Sequence, residues 1–135
     1  VKCDKTPVNK ETDMPIQSYR DLLVWQKAMD LVVVCYQLTE NLPPSENFGL
    51  SSRIKNFASN VPSYIADGEG RKTNSEYFSR LSLAHGSLMS LETQLLIVDR
   101  LKFLPMEEIE PALSLSSEVG KMLNGLMNKV GGGIR

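Results

Sequence analysis

The stretch TNSEYFSRLSLAHGSLMSLETQLLIVDR, residues 73–100, decides the fold class. Within it Leu81, Ala84, Leu88, Leu91, Leu95 and Val98 recur at spacings of three and four. Only an α-helix places such residues on one side, and nearly three heptads of unbroken recurrence predict a helix packed along its length against others. Thr73 followed by Glu76 is the pattern of a capping box, which fixes the start. Arg100 and Lys102 stand at the other end, where cations suit the helix dipole. Phe103-Leu104-Pro105 then reads as a short turn.

Working outward, three more helical segments emerge. Residues of about 48–67 carry Leu50, Ile54, Phe57, Val61 and Ile65 as a buried row. Pro62 inside that row predicts a kink, because proline lacks an amide donor and its ring meets the carbonyl of Ala58. Gly68 and Gly70 predict a tight stop. Residues of about 21–40 carry two apolar rows side by side. One is Leu22, Trp25, Met29, Val32 and Tyr36; the other is Val24, Ala28, Leu31, Cys35 and Leu38. That arc is wider than one bundle seam requires. Val32, Val33 and Val34 favour a strand by propensity, but the alternation of a half-buried strand is missing. Asn41, Pro43 and Pro44 close the segment. The last helix opens at Pro105 with Glu107, Glu108 and Glu110 in its first turns, and Leu115, Val119, Met122, Leu126 and Val130 form its apolar row.

Short links between long helices predict an all-α, antiparallel up-down-up-down four-helix bundle. It spans residues 16–130, with a flexible N-terminal tail at 1–15 and a flexible C-terminal end at 131–135 that holds three glycines. The 135 residues suffice for one domain with one core, without disulfide or metal staples.

Function classes narrow from there. The formal charge of −1 removes bulk basicity as an argument for nucleic acid, so an anion site must come from local clustering. Cys3 and Cys35 form no disulfide framework, and Cys35 reads as a small buried hydrophobe. No apolar leader segment stands at the N-terminus, and the longest apolar run, residues 31–36, is far short of the ~20 needed to cross a bilayer. A cytoplasmic setting with no membrane partner is the expectation. The lone histidine, His85, has Ser82 where a bundle metal site wants glutamate, so it reads as a packing residue. Gly68-Glu69-Gly70-Arg71-Lys72 lacks the spacing of a phosphate loop and follows a helix. No nucleophile set is recognisable. The expectation is a non-enzyme with no cofactor and no metal.

The basic residues are spread unevenly. Arg53, Lys55, Arg71, Lys72 and Arg80 fall within thirty residues, around the second-to-third helix turn. They are the candidate nucleic-acid contacts. Two readings stand side by side. In one, these cations form a rim that meets phosphates, multiplied by oligomerisation. In the other they form salt bridges on a scaffold with no nucleic-acid role. The two differ in whether Arg53, Arg71 and Arg80 face solvent on one rim or pair with Glu92, Glu69 and Glu76. Trp25, Val33 and Tyr36, on the surplus apolar face of the first helix, and Glu92, beside the seam of the third, are the candidate oligomer or inter-helix contacts. Glu92 is either a solvated flank or the partner of a basic residue.

Five stretches then carry a family resemblance: Tyr19-Arg20-Asp21-Leu22-Leu23-Val24-Trp25-Gln26-Lys27-Ala28-Met29; Gly49-Leu50-Ser51-Ser52-Arg53-Ile54; Val61-Pro62-Ser63-Tyr64-Ile65-Ala66-Asp67-Gly68-Glu69-Gly70-Arg71; Gly86-Ser87-Leu88-Met89-Ser90-Leu91-Glu92-Thr93-Gln94-Leu95; and Gly120-Lys121-Met122-Leu123-Asn124-Gly125-Leu126. Taken in order, over residues 18–130, they resemble the four-helix-bundle proteins encoded in intervening sequences of 23S rRNA genes. The resemblance implies a homo-oligomeric ring, typically a pentamer. That family is similar in turn to the accessory protein of diversity-generating retroelements, a basic pentamer that contacts nucleic acid and a reverse transcriptase. The slightly negative charge here departs from that relative and leaves only the local patch as a nucleic-acid surface.

Overall fold

The computed structural model describes residues 18–131 and the backbone of residues 8–9 and 14–15. Those two pairs form a minimal antiparallel ladder, Val8 opposite Pro15 and Asn9 opposite Met14. The rest of the tail at 1–15, Cys3 included, and the end beyond residue 131 lie outside the described residues. Four α-helices make up the body: α1 Leu23–Thr39, α2 Leu50–Glu69, α3 Asn74–Arg100 and α4 Met106–Gly131.

The seam of α3 is the spine of the core. All six expected residues from Leu81 to Val98 are fully buried, and Tyr77 extends the row by one position. Thr73 caps the helix, its Oγ1 accepting from the Glu76 amide at 3.1 Å. Each buried leucine in such a row stabilises the fold by roughly 1.5–3 kcal/mol relative to exposure. At the far end Lys102 takes a left-handed backbone with φ 63°. Its amide donates to Asp99 and the Phe103 amide to Val98, so the chain turns over the end of α3 with the last carbonyls satisfied.

The two apolar rows of α1 separate cleanly. Val24, Ala28, Leu31, Cys35 and Leu38 are buried. In the other row only Leu22, just before the helix, is buried; Trp25 and Val32 are half-buried and Met29 and Tyr36 exposed. In α2 the helix runs unbroken through Pro62, which is itself buried. Gly68 does not stop the helix. It lies inside it, where a Cβ would stand 2.9 Å from the Tyr77 ring, so glycine serves close approach of α2 to α3. In α4 the buried row is Ile109, Ala112, Ser116, Val119, Leu123 and Val130, which includes the expected Val119 and Val130. Leu115, Met122 and Leu126, expected in that row, are only half-buried. The register differs by one residue because a serine occupies a core position.

Neighbours pack pairwise: α1 on α2, α2 on α3, α3 on α4, and α4 back on α1. Side-chain contacts fix the relative heights. Lys27 of α1 pairs with Glu118 of α4 at 3.4 Å, and Asn41, just past α1, donates to Glu108 of α4 at 3.3 Å. Ser116 of α4 donates to Glu92 of α3 at 2.7 Å. No helix among the described residues is long and apolar enough to cross a membrane.

Candidate binding surfaces

The α2–α3 corner is built around one carboxylate. The Arg71 guanidinium donates to both oxygens of Asp67, at 3.0 and 3.2 Å, and Arg80 Nε donates to its Oδ2 at 2.9 Å. Arg71 lies one helical turn after Asp67, and Arg80 reaches back from α3. Hydrogen bonding by Arg71, then by Arg80 with the charge of both, holds the Asp67 carboxyl below its ordinary range. Beneath this surface pairing, Glu69 and Tyr77 are buried. Desolvation pushes the Tyr77 phenol above its usual range, and the adjoining Glu69 carboxylate, to which the phenol donates, adds to the rise. At this corner Asp67 takes both Arg71 and Arg80.

The five expected phosphate contacts do not form one patch. Arg53 lies eighteen residues before Arg71, which along an α-helix is about 27 Å. Arg53 is exposed near the start of α2, and Lys55 stands over the Tyr36 ring, 5.3 Å from its centroid, beside the end of α1. Arg71, Lys72 and Arg80 occupy the opposite end. Topology adds two cations there that spacing along the chain could not reveal. Arg20 sits in a 3-10 turn, Tyr19–Asp21, capped by Ser18 and tied by Gln26 Nε2 donating to its carbonyl at 2.9 Å. Lys129 belongs to the last turn of α4, where the Phe78 ring lies against Gly131.

One apolar surface lies along α1. Tyr19 and Trp25 meet edge to face, with ring centroids 5.3 Å apart. With Met29 and Val32 they form one wall of a shallow groove of about 330 Å³, whose other wall is Ser59, Pro62, Ser63 and Ala66 of α2. Met29 at the groove, and Val33 and Tyr36 beyond it, are 41%, 55% and 44% exposed. Among the described residues no basic side chain forms an ion pair with Glu92. It accepts from the fully buried Ser116 hydroxyl and so joins α3 to α4. Among the described residues no cluster of three His, Cys, Asp or Glu side chains is placed to hold a metal ion.

A family model for the 23S rRNA-intervening sequence proteins matches residues 20–125. Among solved structures, a protein of unknown function from the S23 ribosomal protein family of Bacteroides thetaiotaomicron superposes with a TM-score of 0.73 at 20% identity. The overlap covers 78% of this chain and 98% of the other. At that identity the likeness shows a shared fold. No curated protein matches the chain.

Proposed function

The chain belongs to the 23S rRNA-intervening sequence protein family, and we propose that it works as a non-enzymatic, homo-oligomeric scaffold: an up-down-up-down four-helix bundle assembled into a ring. The observation that carries this reading is the exposed stripe Met29, Val33 and Tyr36 on α1. Contiguous apolar surface rimmed by polar residues marks an interaction site more often than a solvated face. Helices joined by short turns and packed on their chain neighbours support the alternating topology. The test is native mass by light scattering at micromolar concentration. A mass of several chains is expected, with five the number the family resemblance implies; a monomer overturns the assembly.

A second reading, polyanion contact, draws support from Arg20, Arg71, Lys72, Arg80 and Lys129 lying at one end of the bundle. Repetition around a ring would give that end avidity that one copy lacks. Asp67 works against it by holding two guanidiniums. Asp67→Asn removes a negative charge and loosens both arginines, so it is expected to strengthen single-stranded RNA binding several-fold at low salt. The slope of log affinity against log salt steepens as well, because more phosphate contacts release more counterions. Titrating both proteins with labelled RNA at two salt concentrations checks this. No binding by either protein at low salt removes the polyanion reading and leaves the scaffold.

A further inference from the structure

Apart from Met106 at the very start of α4, the large apolar side chains exposed along the helices stand on α1 and α3. Met29, Val33 and Tyr36 stand on α1; Leu83, Met89 and Leu96 on α3. The outer positions of α2 and α4 are polar instead: Arg53, Asn56, Ser63 and Asp67 on one, Glu110, Ser114, Ser117, Lys121 and Asn124 on the other. Since α1 and α3 each pack between α2 and α4, they occupy opposite corners of the bundle. The molecule therefore presents apolar surface on two separate sides.

The two surfaces match in height. Lys27 of α1 reaches Glu118 of α4, and Glu92 of α3 reaches Ser116, within one turn of it. Asn41 reaches Glu108, which lies eight residues before Ser116, just as Arg100 lies eight residues after Glu92. Both α1 and α3 run opposite to α4, so they run parallel to each other. Tyr36 and Glu40 of α1 thus stand near the height of Arg100, and Trp25 near that of Met89. On α3, Ser82, Met89, Thr93, Leu96 and Arg100 fall on one line by helical spacing.

Charge matches too. The α1 stripe ends in Glu40 and the α3 stripe ends in Arg100, both exposed and both at the same end of the bundle. Rotation about an axis parallel to the helices brings α1 of one copy beside α3 of the next without changing height. Apolar then meets apolar and Glu40 meets Arg100. A two-fold contact through α1 alone would cover one stripe and leave the other bare.

We propose that copies of this chain join head to tail, the α1 stripe of one (Met29, Val33, Tyr36, Glu40) docking on the α3 stripe of the next (Met89, Leu96, Arg100). This rests on the homo-oligomeric reading above and specifies its interface. Val33→Arg spoils only the first face and Leu96→Arg only the second. Both positions are about half exposed, 55% and 48%, so circular dichroism and thermal unfolding should show both variants folded. Each alone is expected to fall to the mass of one chain. Mixed in equal amounts, they retain one good face of each kind between them and should form a dimer of one copy of each that grows no further. Asn124→Arg on the polar α4 face should leave the wild-type mass unchanged. An oligomeric wild type whose Leu96→Arg variant keeps full mass, or a mixture that stays monomeric, overturns the head-to-tail interface alone. A monomeric wild type overturns it together with the assembly it rests on.

Discussion

Leu88→Ala should lower the unfolding free energy by about 2–5 kcal/mol, seen as a shifted urea midpoint with an unchanged slope. Leu88 is fully buried in the middle of the α3 seam. Across from it stands Gly120 of α4, where a Cβ would lie 3.4 Å from Leu88 Cδ2. A glycine has no side chain to swing into the space that alanine would leave. The cost should therefore lie toward the upper part of the range, against a typical total stability of about 5–15 kcal/mol. Leu83→Ala on the same helix gives the contrast. Leu83 is 45% exposed, so its loss should change stability by no more than about 0.5 kcal/mol. Gly120→Ala added to Leu88→Ala should recover about 1 kcal/mol, through helix propensity and one refilled methyl position. All variants must be compared at one protein concentration, because any association would add its own stabilisation. Equal losses at Leu88 and Leu83 would mean that the α3 seam does not carry the core.

That seam was legible because a single residue class repeats on a single period, with nothing beside it to compete. The rest was legible in proportion to how local its cause is. In α1 two apolar rows lie side by side, so periodicity finds the helix without saying which row is core. Packing on α2 and α4 decides that, and leaves Met29 and Tyr36 outside. In α4 the pattern favours Leu115 over Ser116, yet Ser116 is the fully buried one. Its hydroxyl is tolerated there because Glu92, twenty-four residues earlier, accepts its hydrogen bond. A buried hydroxyl with a charged acceptor avoids the penalty that would otherwise bar serine from the row. Nothing near Ser116 in the chain announces that partner.

The basic residues show the same limit. Asp67 and Arg71 are one turn apart, and their pairing follows from helical spacing alone. Arg80 joins them only because Gly68 lets α3 come close enough. Arg53 and Lys55 look adjacent to Arg71 in the chain, but the length of α2 carries them to the other end. Arg20 and Lys129, far apart in the sequence, arrive at the same end of the helices as Arg71 through the packing of α1 and α4. A charge cluster counted along a chain is thus informative over about one helical turn, and beyond that only the fold decides. Glu92 is a related case. Its place beside the seam left open a solvated flank or a cationic partner, and what it meets is a hydroxyl on α4.

Stability should fall steeply above about pH 9, and Cys35 should account for the onset. Cys35 is fully buried in α1, and desolvation by its apolar surroundings pushes its thiol from an ordinary 9.0 up to about 12. Between those values the folded chain keeps a proton that the unfolded chain releases. The unfolded state then binds fewer protons, so unfolding free energy decreases as pH rises. The contribution is fully present below pH 9 and is lost as pH climbs toward 12. A gap of about three pH units at about 1.4 kcal/mol each bounds the loss at about 4 kcal/mol. Tyr77, whose buried phenol beside Glu69 is also raised above its ordinary 10.0, adds a second loss in the same direction that begins one pH unit higher. Urea unfolding at intervals from pH 7 to 10.5 should show a plateau followed by a decline from pH 9. Cys35→Ala removes the thiol at the cost of a small void, so it lowers the plateau slightly. Its decline should begin near pH 10 instead, where Tyr77 takes over. Identical onset in both proteins would mean that the thiol ionises without unfolding the helix around it, and that the core near Cys35 admits water.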